Sequence, residues 1–247
     1  MRVIVALTIR AMQEDAGASA MGYLATFITP LMTVAIFLVS HLVIHALAPP
    51  DMPPALFIIL GVLPYYMFTG TMKRVTSAPK RARSILALPR VTTLDVIISQ
   101  CLDEYCSYAI QFVGLATLTI IFERDPLPAD PFGVAAAFTA AWLIGWGFGL
   151  VILAAQRVIP GADAASKIIS RVGMLTSGLF FVLGQLPQST WPYMDWNPVL
   201  HVNEFMRSCW FPVYKSPVAS ASFIFECIVG LFVCGLIFER AIRRVTP

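Results

Sequence analysis

Residues 131–156, PFGVAAAFTAAWLIGWGFGLVILAAQ, contain no charged side chain. A helix needs about 20 mostly apolar residues to cross the hydrocarbon layer of a bilayer, so this run is long enough to span. Reading outward from it, similar charge-free runs cover 16–50, 52–72, 105–122 and 172–194, and a sixth, 216–238, is interrupted only by Glu226. Their spacing predicts transmembrane helices near 23–46, 55–72, 104–122, 134–156, 170–187 and 219–238. The runs are continuous rather than alternating with period two, which excludes a closed barrel. The first 22 residues do not read as a cleavable signal peptide, because the apolar run after Gly22 is too long and no small-x-small site follows it. The reading is an all-α integral membrane protein with six spans, forming a single transmembrane domain over 1–247.

Composition agrees. Of the 247 residues 58% are hydrophobic and 13% are charged, with a mean hydropathy of +0.77. Soluble domains carry about 25% charged residues. The basic residues also fix an orientation. The N-terminal segment has Arg2 and Arg10. The second connection has Lys73, Arg74, Lys80, Arg81, Arg83 and Arg90. The fourth has Arg157, Lys167 and Arg171, and the C-terminus has Arg240, Arg243 and Arg244. The alternate connections hold only Arg124, Arg207 and Lys215, so 14 basic residues stand on one side against 3 on the other. Basic residues concentrate on the cytoplasmic side, which places both termini in the cytoplasm. The net charge of +3 is then a consequence of topology and gives no reason to invoke nucleic acid.

Several chemistries are absent. There is no GxxxxGK[ST] phosphate loop, no HExxH and no GxSxG. His41 and His45 sit four apart in or just after the first predicted span, and His201 lies outside the spans. Two histidines make a poor metal site, and no metal is expected. The five cysteines have no ligand-like spacing and read as small hydrophobes. No duplicated halves of the secondary-transporter kind are evident.

Three segments do more than connect spans. Residues 1–22 begin RVIVALTIRAMQ after Met1, with Arg2 and Arg10 near one face, and read as a helix lying in the cytoplasmic interface; the alternative is a charged lead-in. Residues 73–103 are too long for a tight turn. Pro79 and Pro89 are expected to break them into short elements, Ser84–Leu88 forms an apolar patch between basic residues, and Thr93 and Asp95 suit a helix start near Leu94. This reads as a docking surface for a cytoplasmic partner. Residues 187–218 carry five prolines and seven aromatics. Asn197-Pro198 is a helix start. Val199, Val202, Met206 and Cys209/Trp210 then form an apolar stripe, with His201, Glu204 and Ser208 on the other side. Such a segment can dip into the outer leaflet or act as an interfacial aromatic belt.

An ordered set of motifs resembles the permease subunits of type-2 ATP-binding-cassette exporters, and among them the inner-membrane component of capsular polysaccharide export. The set runs from Ala6-Leu7…Arg10 and Gly22-Tyr23-Leu24 through Gly61-Val62-Leu63-Pro64-Tyr65…Phe68. It continues with Leu86-Ala87-Leu88-Pro89…Leu94-Asp95, Arg157…Pro160, Arg171 and Ser177-Gly178-Leu179-Phe180-Phe181. Leu186-Pro187 and Asn197-Pro198-Val199-Leu200-His201…Glu204…Arg207 complete it.

The resemblance implies a bacterial inner-membrane, multi-pass subunit that is not itself an enzyme and binds no cofactor. ATP and magnesium would belong to the partner ATPase. It implies two copies of the chain with two ATPase subunits, a periplasmic co-polymerase and outer-membrane export proteins as further partners, and a lipid-linked polysaccharide as cargo. Contacts to the ATPase would fall on Arg2, Arg10, Arg83, Ile85, Leu86, Leu88, Arg90 and Asp95. Sugar rings stack on aromatic faces, so Tyr65, Tyr66, Phe68, Phe180 and Phe181 are candidates for the polysaccharide path. Trp142 and Trp146, beside Gly145, Gly147 and Gly149, read as a packing face. Trp196, Asn197, Pro198, His201, Glu204, Arg207 and Glu226 would form a periplasmic gate, with Glu226 pairing Arg207 in the closed state or satisfied by water near the interface. Two alternatives stand beside this reading: a type-2 exporter of another cargo, such as an O-polysaccharide, a teichoic acid or a drug, and a membrane scaffold or membrane enzyme.

The topology is directly testable. In a cysteine-less background, single cysteines at Asp51, Asp130 and Ser189 are expected to react with an impermeant thiol reagent admitted to the periplasm. Cysteines at Ser77 and Ala162 should react only after lysis. Outside labelling at Ser77 would overturn the orientation.

Overall fold

The computed structural model describes residues 52–81, 93–122, 124–159, 161–162 and 164–245, with single positions at 8, 32 and 35. The expected interface helix over 1–22, the first predicted span, His41, His45 and the loop residues Arg83 to Arg90 therefore lie outside the described residues. Among the described residues all regular secondary structure is helical, with no strand. Helices α1 (Pro54–Arg81), α2 (Thr93–Phe122), α3 (Pro131–Ala155), α4 (Ala164–Thr176), α5 (Pro198–Trp210) and α6 (Ala221–Val245) follow in order, with 3-10 turns at Leu183–Gln185 and Gln188–Tyr193. Four are long and apolar enough to cross a membrane: α1, α2, α3 and the Ala221–Phe238 part of α6.

Local sequence explains most of these boundaries. Asp130 caps α3 by accepting a hydrogen bond from the Gly133 amide at 3.0 Å, and Pro131 occupies the first turn, where a missing N–H costs nothing. α2 starts where Thr93 and Asp95 favour a start, with Asp95 in its first turn. One boundary differs from expectation. Pro79 does not break the basic segment, because α1 runs through it to Arg81. Proline removes the hydrogen bond to the carbonyl four residues back, and the two residues that follow Pro79 complete the helix without a further turn.

The fifth predicted span, 170–187, is also not one helix. α4 starts earlier and stops at Thr176 after 13 residues, about 20 Å at 1.5 Å per residue and short of a hydrocarbon core about 30 Å thick. The stop is local. The Ser177 amide closes the last turn on the Gly173 carbonyl at 2.9 Å, and Gly178 follows in the left-handed region with φ 65°, which glycine adopts without penalty. The chain then proceeds irregularly to the α5 cap.

α1 is the axis of the bundle, with 89% of its spanning positions buried, against 61% for α3, 17% for α2 and 11% for α6. It packs on α2, α3, α4 and α5, while α3 joins it to α6. The glycine row of α3 makes this possible. A Cβ on Gly145 would lie 2.4 Å from the Phe68 carbonyl oxygen, one on Gly149 2.6 Å from Val75 Cβ, and one on Gly147 2.7 Å from Leu231 Cβ. Small residues let membrane helices approach closely, and dispersion then holds them. Trp142 completes the seam by donating its indole N–H to the Cys101 carbonyl at 2.8 Å. The expected packing role of this face is what the structure shows.

Gly145→Ala should therefore destabilise the bundle by about 1–3 kcal/mol, the usual cost of overpacking, and lower the unfolding midpoint in detergent. Gly114→Ala, where an added Cβ meets nothing within 4 Å, should leave the midpoint unchanged.

Candidate functional site

α5 is amphipathic in sequence, yet the structure buries both of its faces. The Asn197 carboxamide oxygen accepts from the Val199 amide at 3.0 Å and caps the helix. At its other end the carbonyls of Cys209 and Trp210 accept from the amides of Asp130 and Ala129 at 2.8 and 3.2 Å. Helix ends leave such groups without intrahelical partners, so the α3 cap and the α5 terminus satisfy one another. The Trp210 indole donates to the Pro126 carbonyl at 3.0 Å and fastens the same corner.

The side that reads as polar and outward instead faces the irregular segment 177–186. Asn203, Glu204 and Arg207 are each fully buried, and His201 is nearly so. Asn203, Glu204 and Arg207, with the capping Asn197, answer backbone or side-chain groups that the break after α4 leaves behind. The Asn197 amide donates to the hydroxyls of Thr176 and Ser177 at 2.8 and 2.9 Å. The Asn203 amide donates to the Ser177 carbonyl at 2.7 Å, and a Glu204 carboxylate oxygen accepts from the Leu183 amide at 3.2 Å. Arg207 donates to the carbonyl of Phe181 at 3.1 Å and to those of Leu179 and Phe57 at 3.4 Å, so one guanidinium joins α5, the broken segment and α1. Its carbon lies 3.9 Å from the centre of the Phe57 ring, a cation–π contact. Gly61 leaves the space, since a Cβ there would stand 2.6 Å from an Arg207 nitrogen.

The charge is balanced locally. Glu204 lies one turn before Arg207, with a closest approach of 4.0 Å, and accepts a hydrogen bond from the Tyr214 hydroxyl. Burial pulls the Arg207 pKa down from 12.5 to about 10, with Glu204 opposing the fall, so the guanidinium stays charged at neutral pH. Burial and Glu204 together push the Tyr214 phenol upward. His201 sits against the Phe223 ring at 4.6 Å and reaches Asp195 through Nε2, 3.1 Å from the carboxylate and 2.7 Å from the carbonyl.

The expected gate residues thus separate into two groups. Asn197, Pro198, His201, Glu204 and Arg207 come together on α5, while Trp196 is exposed beside them. Glu226 does not join them, and the expected Glu226–Arg207 pair is absent. Arg207 has no exposed surface and is committed to Glu204 and three carbonyls, whereas Glu226 is exposed on α6. The path candidates also scatter. Tyr65 and Phe68 are buried in the core. The Tyr65 hydroxyl donates to the Ser170 carbonyl on α4, and the Phe68 ring stands edge-on to Phe148 on α3 at 5.8 Å. Tyr66, Phe180 and Phe181 are half-buried, with Phe180 and Phe181 in the irregular segment rather than on a fifth spanning helix. Of the ATPase-coupling set only Asp95 is among the described residues, half-buried in the first turn of α2.

One feature was hidden in the sequence. Arg74, read there as one of six topology charges, pairs across the α1–α2 interface with Glu104 at 2.7 Å and Asp103 at 3.5 Å, all three largely buried. The signal available was position: these charges stand directly at the ends of the charge-free runs 52–72 and 105–122.

Comparison with known proteins gives one consistent result. The chain is 24% identical over 239 residues to the polysialic acid transport protein KpsM of Escherichia coli, covering 96% of this chain and 92% of that protein. It is 25% identical over 247 residues to the capsule polysaccharide export inner-membrane protein CtrC of Neisseria meningitidis, covering 100% and 93%. It is 26% identical over 243 residues to the capsule polysaccharide export inner-membrane protein BexB of Haemophilus influenzae, covering 97% and 90%. No protein-family model matches the chain. The resemblance read from the ordered motifs is thus borne out from end to end.

The α5 network yields a stability prediction. Arg207→Met leaves Glu204 buried without its counter-charge and should cost about 3–5 kcal/mol, read from unfolding in detergent. Adding Glu204→Gln should recover part of that loss. An Arg207→Met protein that unfolds like the wild type would remove the guanidinium from this role.

Proposed function

We propose that the chain is the transmembrane subunit of an exporter that moves a capsular polysaccharide across the bacterial inner membrane, driven by a separate ATPase. The observation that carries this reading is similarity over nearly the full length of both chains to three inner-membrane proteins named for polysialic acid transport or capsule polysaccharide export. Four membrane-length apolar helices supply the membrane-embedded body that such a role requires.

The coupling follows from what the sequence lacks. Without a phosphate-binding loop the chain has no usual means of holding a nucleotide, so the energy comes from another polypeptide. Two copies of the chain with two ATPase subunits form the transporter, and both termini lie in the cytoplasm. Arg2, Arg10, Arg83, Ile85, Leu86, Leu88, Arg90 and Asp95 receive the ATPase motion. α1 then carries it inward, because its C-terminal end at Arg81 reaches into the basic segment and it packs on α2, α3, α4 and α5. The α5 layer, held to α1 through Arg207 and Phe57, moves with it at the far end of the path. The aromatics Tyr65, Tyr66, Phe68, Phe180 and Phe181 contact sugar rings when the helices part. Weak binding at each position suits a polymer that must keep moving, as it does for ions in a channel.

Purified alone, the chain should show no ATP hydrolysis, and the complex with its ATPase should hydrolyse ATP. Changing Leu86 and Leu88 to Asp should dissociate the pair or uncouple hydrolysis from export, measured as surface polysaccharide at equal protein level. Robust hydrolysis by the lone chain would sink the proposal.

A further inference from the structure

α6 is the most apolar of the membrane-length helices, with a mean hydropathy of 2.4 over its spanning part. Its packed side is defined by Ile224, which is buried, by Leu231 against Gly147, and by Gly235, where a Cβ would lie 2.8 Å from Leu150 Cβ. At about 100° per residue, Glu226 stands roughly opposite all three. It is exposed, as are Ser222, Val229, Gly230 and Val233 around it, and a Cβ on Gly230 would meet nothing within 4 Å. Glu226 lies five residues into the helix, about 7.5 Å from its start at 1.5 Å per residue. Arg207 is fully enclosed elsewhere, and among the described residues no basic group reaches Glu226.

A carboxylate on a lipid-facing surface is costly. Such residues normally stand against an opposite charge, a wet cavity or protein. Lysine and arginine escape by extending long stems toward the interface; glutamate has no stem of that reach. A second copy of the chain is poorly suited to neutralise it. None of the stretches 16–50, 52–72, 105–122, 131–156, 172–194 and 216–238 contains a lysine or arginine, so no span of a second copy offers either base at membrane depth. Two copies meeting on this face about a two-fold axis would also bring Glu226 toward Glu226. We propose that the Glu226 face of α6 docks a transmembrane helix of a different polypeptide that carries a lysine or arginine at the depth of Glu226. The open surface at Gly230 lets that helix approach closely on the same side.

This inference does not depend on the identity of the cargo, and its test measures no transport. The full chain, with cysteines 101, 106, 209 and 227 changed to serine, carries a donor dye on Cys234. It is reconstituted in phosphatidylcholine vesicles with an acceptor-labelled synthetic Leu/Ala helix of about 22 residues. That helix bears either a lysine or a leucine roughly six residues from one end. The lysine helix should reach half-maximal energy transfer at a density ~5-fold or more below the leucine helix, the scale of one polar contact between membrane helices. Glu226→Gln should bring the two helices level. Equal transfer from both helices, or a lysine preference that survives Glu226→Gln, would overturn the proposal. So would strong transfer between donor- and acceptor-labelled copies of the chain that disappears in Glu226→Gln, since the face would then belong to a second copy, with His41 or His45 as its cation.

Discussion

A polypeptide that breaks its helix among apolar packing must find partners for the backbone groups it frees, and in this chain that requirement is met by the side chains of α5. The break after Thr176 releases the carbonyls of Ser177, Leu179 and Phe181 and the amide of Leu183. Asn203, Arg207 and Glu204 take them up in turn. Unsatisfied backbone in a low-dielectric setting costs several kcal/mol per group. Burying an arginine is also expensive, and the same carbonyls, the Phe57 ring and Glu204 offset that cost. The two penalties are reduced together, which neither the broken segment nor the polar helix could achieve alone.

The arrangement has a mechanical consequence. α1 is buried almost throughout its span and has two fixed points. Near its C-terminal end Arg74 is held by Glu104 and Asp103 of α2. Near its N-terminal end the Phe57 carbonyl and ring receive Arg207. Between them the close approach of Phe68 and Val75 to the α3 glycines leaves little room to slide. α1 is therefore tied near both ends by charge-assisted contacts. α2 and α6, each with little of its span buried, form the flanks.

How far the sequence revealed this depends on the length scale of each signal. Charge-free runs and basic flanks are long signals, and α1, α2, α3 and α6 are visible in them. Caps are short but chemically specific, so Asn197-Pro198 and Asp130-Pro131 mark real helix starts. Proline is ambiguous. Pro79 reads as a breaker, yet the helix runs two residues beyond it to Arg81. The fifth span illustrates a different limit, because hydropathy registers apolar character and not helical continuity: residues 172–194 are free of charge whether the backbone is helical or, as after Gly178, irregular.

The α5 site was half legible for a related reason. Periodicity separates Val199, Val202 and Met206 from His201, Glu204 and Ser208, and at an ordinary surface the second group would face water. Nothing in a helical wheel shows that another stretch of the same chain covers that side. The motif Asn197-Pro198…Glu204…Arg207 signalled that these positions matter, and Gly61, 146 residues before Arg207, supplied the matching space on α1. The same logic separates Glu226 from Arg207. Both are isolated charges near apolar helices, and proximity in sequence suggested a pair. Arg207, however, is already held inside the bundle by Glu204 and three carbonyls, so adding Glu226 would bury a second carboxylate around a single guanidinium. Glu226 instead stays exposed on α6, with no ion pair to a basic group among the described residues.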